Sequence, residues 1–146
     1  MASEDSRKCY EYHYLVTFDD TNSTGNVYFA QYFKWMGKCR EHMTYDFYPE
    51  FTEDLDAGFG FATESAHIDF ISESFLFNKI LIKLYVPHLS RTRMEFEFEF
   101  INEDSGILLS KGSMGLVWVI NKPKRRVCLM PDKLYEKTLE YFEPEL

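Results

Sequence analysis

Cationic residues are in the minority. Lys and Arg number 16 against 24 Asp and Glu, for a formal net charge of −8. Nucleic-acid binders of this size are usually basic, so DNA or RNA is not the expected partner. Cysteine is scarce too. Cys9, Cys39 and Cys128 are odd in number and far apart, which suits reduced thiols and not a disulfide framework or a zinc site. No purely apolar run exceeds a few residues, so no segment is expected to span a membrane. Met1 to Lys8 is polar, carries both charge signs and lacks the apolar core of a secretory signal. A cytoplasmic location is therefore the expectation. Gly-x-Ser-x-Gly is absent, which argues against a serine triad. There is no internal repeat and no low-complexity stretch.

What is present is apolar and aromatic. Apolar residues make up 45% of 146, enough for a folded core and too many for a disordered chain. One domain over residues 1–146 is expected, with 1–8 as a flexible arm. Tyr10 to Phe18 reads as a strand, and Asp19 to Gly25 as a polar loop. The period then changes. Tyr28, Phe29, Tyr32, Phe33, Met36, Cys39 and Met43 recur at helical spacing, which predicts a long helix from Asn26 to about Phe47. Ser23, Thr24 or Asn26 is its expected cap, and Pro49 its stop. After a linker over Pro49 to Gly58, strands are predicted over Phe59–Ile71, Asn78–Pro87, Arg91–Phe100 and Ile107–Ile120. The third alternates most strictly, with Met94, Phe96, Phe98 and Phe100 on one face and Arg91, Arg93, Glu95, Glu97 and Glu99 on the other. Such alternation means one buried and one wet face. Lys122 to Arg126 is a basic turn, and Met130 to Phe142 a terminal helix. One long helix followed by a run of strands predicts an α+β fold, an antiparallel β-sheet wrapped over the helix.

Phe18 to Met43, FDDTNSTGNVYFAQYFKWMGKCREHM, resembles the opening of hot-dog fold thioesterases of the 4-hydroxybenzoyl-CoA type. Those have a strand, an Asp-x-x-Gly loop and an aromatic-rich helix. Here Asn22 stands where most of that family has its catalytic Asp. Asn22-Ser23-Thr24-Gly25-Asn26-Val27-Tyr28, with Trp35, Gly37, Cys39, Arg40 and Glu41 on the helix, is similar to the thioesterases of enediyne polyketide biosynthesis. So is Gly58-Phe59-Gly60-Phe61-Ala62-Thr63. The resemblance covers roughly residues 10–130. It implies a single hot-dog domain and release of a polyketide or polyene acyl chain from an acyl carrier protein or polyketide synthase, in antibiotic biosynthesis. It also implies that the released β-keto acid can lose CO₂. No cofactor and no metal are called for.

The chemistry needs a polarised carbonyl and an attacking water. A helix N-terminus offers unpaired N–H groups, and the expected helix start puts Gly25, Asn26 and Val27 there as oxyanion donors. Asn22 cannot act as a carboxylate near neutral pH, but it can orient a water or hold an oxyanion. Its bland alternative is an Asx-turn or cap. Arg40 lies on the apolar stripe, where a permanent charge is costly unless paired or used. It could hold an enolate, an oxyanion or a carboxylate. Its bland alternative is a structural pair with Glu41 or a strand Glu. Tyr32 and Thr63 are expected to line the acyl site, and Glu64 is the neighbouring acid. Thr63 and Glu64 differ in parity, so one should face the site, with Thr63 preferred.

Asn26 and Arg40 are 14 positions apart, about 21 Å along a helix. A site using both Asn22 and Arg40 would take Arg40 from an antiparallel second subunit. At least a homodimer is expected, and a dimer of dimers with it. His67 and Asp69 share a strand face without an evident third ligand, which favours a structural pair over a metal site. Two other readings stay open: an acyl-CoA thioesterase of the 4-hydroxybenzoyl-CoA type, and a non-catalytic lipid-binding β-barrel. The long helix after the first strand argues against the barrel.

Overall fold

The computed structural model describes residues 6–144. Strand β1 (Tyr10–Leu15) leads through a 3-10 turn (Phe18–Asp20) to helix α1 (Ala30–Phe47) and the short helix α2 (Phe51–Asp56). Strands β2 (Phe59–Phe70), β3 (Lys79–Leu89), β4 (Arg93–Asn102), β5 (Leu108–Ile120) and β6 (Arg126–Val127) follow, and helix α3 (Asp132–Phe142) ends the series. The sheet is antiparallel, in the order β1-β3-β4-β5-β2, with β6 added to β5. α1 touches both edge strands, β1 and β2, so the sheet curls around it. The helix fills the concavity that a lipid-binding barrel would keep open.

Alternation in β4 decides which face is which. Met94, Phe96, Phe98 and Phe100 are buried against the buried side of α1, formed by Tyr32, Trp35, Met36, Cys39 and Met43. Gly112 of β5 permits the close approach: a Cβ there would lie 3.3 Å from Met36 Cε and 3.1 Å from the His67 carbonyl oxygen. On the outer face, one row of strand partners runs Glu11, Lys83, Glu99, Lys111 and Asp69. Its charges alternate in sign across five strands, the cross-strand pairing that stabilises a wet sheet face.

Two expectations need correction. The helix starts at Ala30, not Asn26. Asn26 and Val27 are held extended instead, because Val27 N–H donates to the Ser74 carbonyl at 2.9 Å and Leu76 N–H to the Gly25 carbonyl at 3.0 Å. This long-range pairing outcompetes local helical periodicity, and no Ser23, Thr24 or Asn26 cap forms. The linker after Pro49 contains α2, which packs Phe51 against Phe61 and Trp118. The flexible arm expected over 1–8 lies partly outside the described residues. At its end, Arg7 sits 4.5 Å over the Tyr85 ring and pairs with Glu97 at 2.9 Å, and Lys8 sits over Tyr141. Among the described residues no helix is long and apolar enough to cross a membrane.

Candidate active site

The loop before α1 is built on a buried carboxylate. Asp20 is 3% exposed. It accepts from the Tyr14 hydroxyl at 2.9 Å, from Thr17 N–H at 2.9 Å and from the Thr17 hydroxyl at 3.2 Å. Burial first, and the Asp20 hydrogen bond next, push the Tyr14 phenol up to about 12. Next comes a tight turn. Gly25 N–H donates to the Asn22 carbonyl at 2.9 Å, and Asn22 N–H to the Asn26 carbonyl at 2.8 Å. Gly25 has φ +84°, the left-handed region where a side chain is strained.

This turn forms one wall of a cavity of about 430 Å³ at the start of α1. Asn22, Asn26, Val27 and Tyr32 line it, with Phe29, Phe70 and Glu73. The Asn22 side chain is exposed and makes no hydrogen bond among the described residues, so it is not tied up in an Asx-turn. Tyr32 is buried, with its hydroxyl 2.6 Å from Ser74 Oγ. Burial above all raises its pKa, so the phenol stays protonated near neutral pH. The expected oxyanion donors need revision on geometry. Gly25, Asn26 and Val27 precede the helix, and the Gly25 and Val27 N–H groups are bonded to Asn22 and Ser74. Among the described residues, Asn26 N–H has no backbone acceptor.

Arg40 belongs to a second cavity, of about 300 Å³, toward the end of α1. Phe51, Leu55 and Phe61 line it with Thr44 and Tyr48. The Arg40 guanidinium donates to Thr63 Oγ1 at 3.3 Å and lies 3.5 Å from Met114 Sδ. Among the described residues no carboxylate is within ion-pair distance of it. Burial lowers its pKa, partly offset by Glu41, yet a guanidinium keeps its charge.

A β-bulge sorts Thr63 from Glu64. The register of β2 against β5 shifts between Thr63 and Ser65. Thr63 pairs with buried Leu116 and turns inward, while Glu64 forms an ion pair with Arg93 on the outer face. Glu64, expected at the substrate site, is thereby held away from Arg40. After the bulge the inward positions become Ala66, Ile68 and Phe70, so strict alternation across Phe59–Ile71 fails. His67 and Asp69 pair with each other at 3.0 Å on the exposed outer face. Among the described residues no group of three His, Cys, Asp or Glu is placed to hold a metal ion. Burial pushes the Cys39 thiol well up, which leaves it inert in the core.

Asn22 and Tyr32 thus share one cavity, and Arg40, held by Thr63, lines another. The two lie beside opposite ends of the edge strand β2: Phe70 lines the first and Phe61 the second. Sequence reasoning missed Glu73, Ser74 and Met114. Glu73 and Ser74 reach the first cavity, and Met114 reaches Arg40, through long-range pairing that no spacing in the chain signals.

Comparison with known proteins agrees with this geometry. The thioesterase-like superfamily matches residues 16–138. No curated protein sequence matches the chain. Among solved structures, the dynemicin thioesterase, whose crystal structures concern polyene binding, is 29% identical, with TM-score 0.86 over 91% of this chain and 96% of that one. A gentisyl-coenzyme A thioesterase is 26% identical, with TM-score 0.75 over 85% and 98%. A 1,4-dihydroxy-2-naphthoyl-CoA thioesterase from Synechocystis is 21% identical, with TM-score 0.84 over 90% and 96%, and supports the fold. A helix wrapped by a curled antiparallel sheet, and a family match spanning most of the chain, lead to one conclusion: the chain belongs to the thioesterase-like superfamily and is a thioester hydrolase of the hot-dog fold.

Proposed function

We propose that this protein works as one hot-dog domain in a cytoplasmic oligomer and hydrolyses a polyketide or polyene thioester carried by an acyl carrier protein. The observation that carries the reading is Arg40. A guanidinium beside an apolar cavity, paired among the described residues with a hydroxyl and a thioether and with no carboxylate, can bind an anion that forms during reaction. An oxyanion, or the enolate left when a β-keto acid loses CO₂, fits that role. The likeness to the dynemicin thioesterase supports a polyene-like acyl chain.

Asn22 and Arg40 meet in this reading across a dimer. β2 is a 12-residue edge strand, with Thr63 to His67 exposed. Unpaired strand edges invite pairing with a second chain. Antiparallel pairing of β2 with its copy about a two-fold axis places the Phe61 end of one chain beside the Phe70 end of the other. The Arg40 cavity of one subunit then adjoins the Asn22 cavity of its partner. In the composite site, Asn22 orients water or oxyanion, Asn26 N–H and the start of α1 polarise the carbonyl, and Arg40 with Thr63 holds the developing negative charge. Dimers then pair into a dimer of dimers.

The likeness to the gentisyl-coenzyme A thioesterase supports a second reading, an acyl-CoA substrate on the same site. Thiol release from polyenoyl carrier protein and from the matching CoA thioester tests both. Preference for the carrier thioester, with a methyl ketone among the products of a β-keto substrate, is the expected result. Hydrolysis of the CoA thioester alone would establish the second reading.

A further inference from the structure

Hydrolysis near neutral pH is aided by a base that takes a proton from the attacking water, and the amide of Asn22 cannot take one. The cavity that holds Asn22 contains one carboxylate, Glu73. It stands in the loop between β2 and β3, clamped on both sides. Before it, the Ile71 and Ser72 N–H groups both donate to the Leu109 carbonyl, at 2.9 and 3.0 Å. After it, the Ser74 carbonyl accepts from Val27 and Leu76 N–H donates to the Gly25 carbonyl. Asn26 Nδ2 donates to Glu73 Oε1 at 3.2 Å. One carboxylate oxygen is therefore oriented by the residue that follows Gly25. The other makes no hydrogen bond among the described residues. The charge of Glu73 also reaches Tyr32 in the same cavity, adding to the burial that keeps that phenol protonated.

Resting on the thioesterase reading above, we propose that Glu73 is the general base of the reaction, supplying from the β2–β3 loop the carboxylate that position 22 lacks. Water bound between Asn22 and the free Glu73 oxygen attacks the thioester carbon. Its proton passes to Glu73 as the new C–O bond forms. The C–S bond then breaks, and the leaving sulfur takes that proton back from Glu73. The products are a carboxylic acid and a thiol, and the base is regenerated.

The test compares the wild-type chain with Glu73→Gln and Glu73→Asp on a polyenoyl carrier-protein thioester and on the matching CoA thioester, across pH. The other titratable groups lining the cavity are the phenols Tyr28 and Tyr32. The expected result for Glu73→Gln is a fall in kcat of about 100-fold, with KM little changed. The acid limb of the kcat/KM profile, present in wild type, should vanish, and Glu73→Asp should keep part of both. Because Glu73 is exposed, all three chains should melt alike. Full kcat and an unaltered acid limb in Glu73→Gln overturn the assignment while leaving the thioesterase reading intact. A wild-type chain that hydrolyses neither thioester overturns both.

Discussion

Arg40 donates to the Thr63 hydroxyl at 3.3 Å and meets no carboxylate among the described residues. A structural arginine would be expected to have an acidic partner. This one is oriented by a neutral hydroxyl, which fixes its direction, and it has no ion-pair partner among the described residues. Arg40→Ala is therefore expected to fold normally and lose about 10²- to 10³-fold in kcat, the effect of deleting an oxyanion-stabilising donor. Arg40→Lys should recover only part, since a point charge replaces the planar fork. Thr63→Val removes one hydrogen bond, so a fall of about fivefold is expected. Steady-state kinetics with a matched thermal melt checks all three. An Arg40→Ala chain that is unstable but fully active would return Arg40 to a structural role.

A site divided between subunits has a stoichiometric signature. Asn22→Ala and Arg40→Ala chains, each inactive alone, should regain activity when mixed and allowed to exchange. A mixed dimer holds one intact site and one doubly altered site. Random exchange at equal amounts should then restore roughly a quarter of wild-type activity. Failure to recover, with exchange verified by mass, would place Asn22 and Arg40 in separate functions.

Asp20 and Tyr14 set the shape of the Asn22 turn from beneath it. Asp20→Ala leaves the Tyr14 hydroxyl and the Thr17 N–H without their acceptor, while the Thr17 hydroxyl keeps Asp19. A loss of about 3 kcal/mol in urea unfolding is expected. The Tyr14 phenol, raised in the folded state from 10.0 to about 12, binds its proton more tightly there than in the unfolded chain. Its contribution is full below pH 10 and fades as pH rises toward about 12. Tyr10 and Tyr48 are raised as well. The measurement is therefore the difference between chains: Tyr14→Phe should lose less stability than wild type across that window.

Most of this architecture is written in local patterns. The Phe ladder of β4 declares its buried face, and the stripe of α1 makes a charged residue at position 40 conspicuous. Local patterns fail where distant segments decide. Asn26 and Val27 continue a helical period, yet Ser74 and Leu76 bind their neighbourhood as an extended bridge. The bulge at Glu64 inverts the faces of β2, so the parity of Ala66 to Phe70 could not be read from Phe61 and Thr63. Glu73 sits in a loop with no periodicity at all. Only the fold brings it to Asn26.

The basic turn after β5 offers the last prediction. Carrier proteins are commonly acidic, and this chain is acidic overall, so docking requires a local patch of opposite sign. Lys122, Lys124, Arg125 and Arg126 are all exposed. The turn is tied to the start of β2, where Asn121 N–H donates to the Gly58 carbonyl at 2.8 Å and the Lys122 stem lies against Gly58. Three residues farther, Phe61 lines the Arg40 cavity. The patch therefore lies at the end of the sheet where a carrier arm would enter the proposed composite site. Lys124→Glu with Arg126→Glu should lower kcat/KM for the carrier-bound thioester by about tenfold, mainly through slower association. It should leave a small thioester substrate unaffected. The wild-type rate on the carrier substrate should fall with added salt, and the variant's much less. Equal rates for the two chains on the carrier substrate, at low salt, would move the docking surface elsewhere, with the Arg91 and Arg93 face next to test.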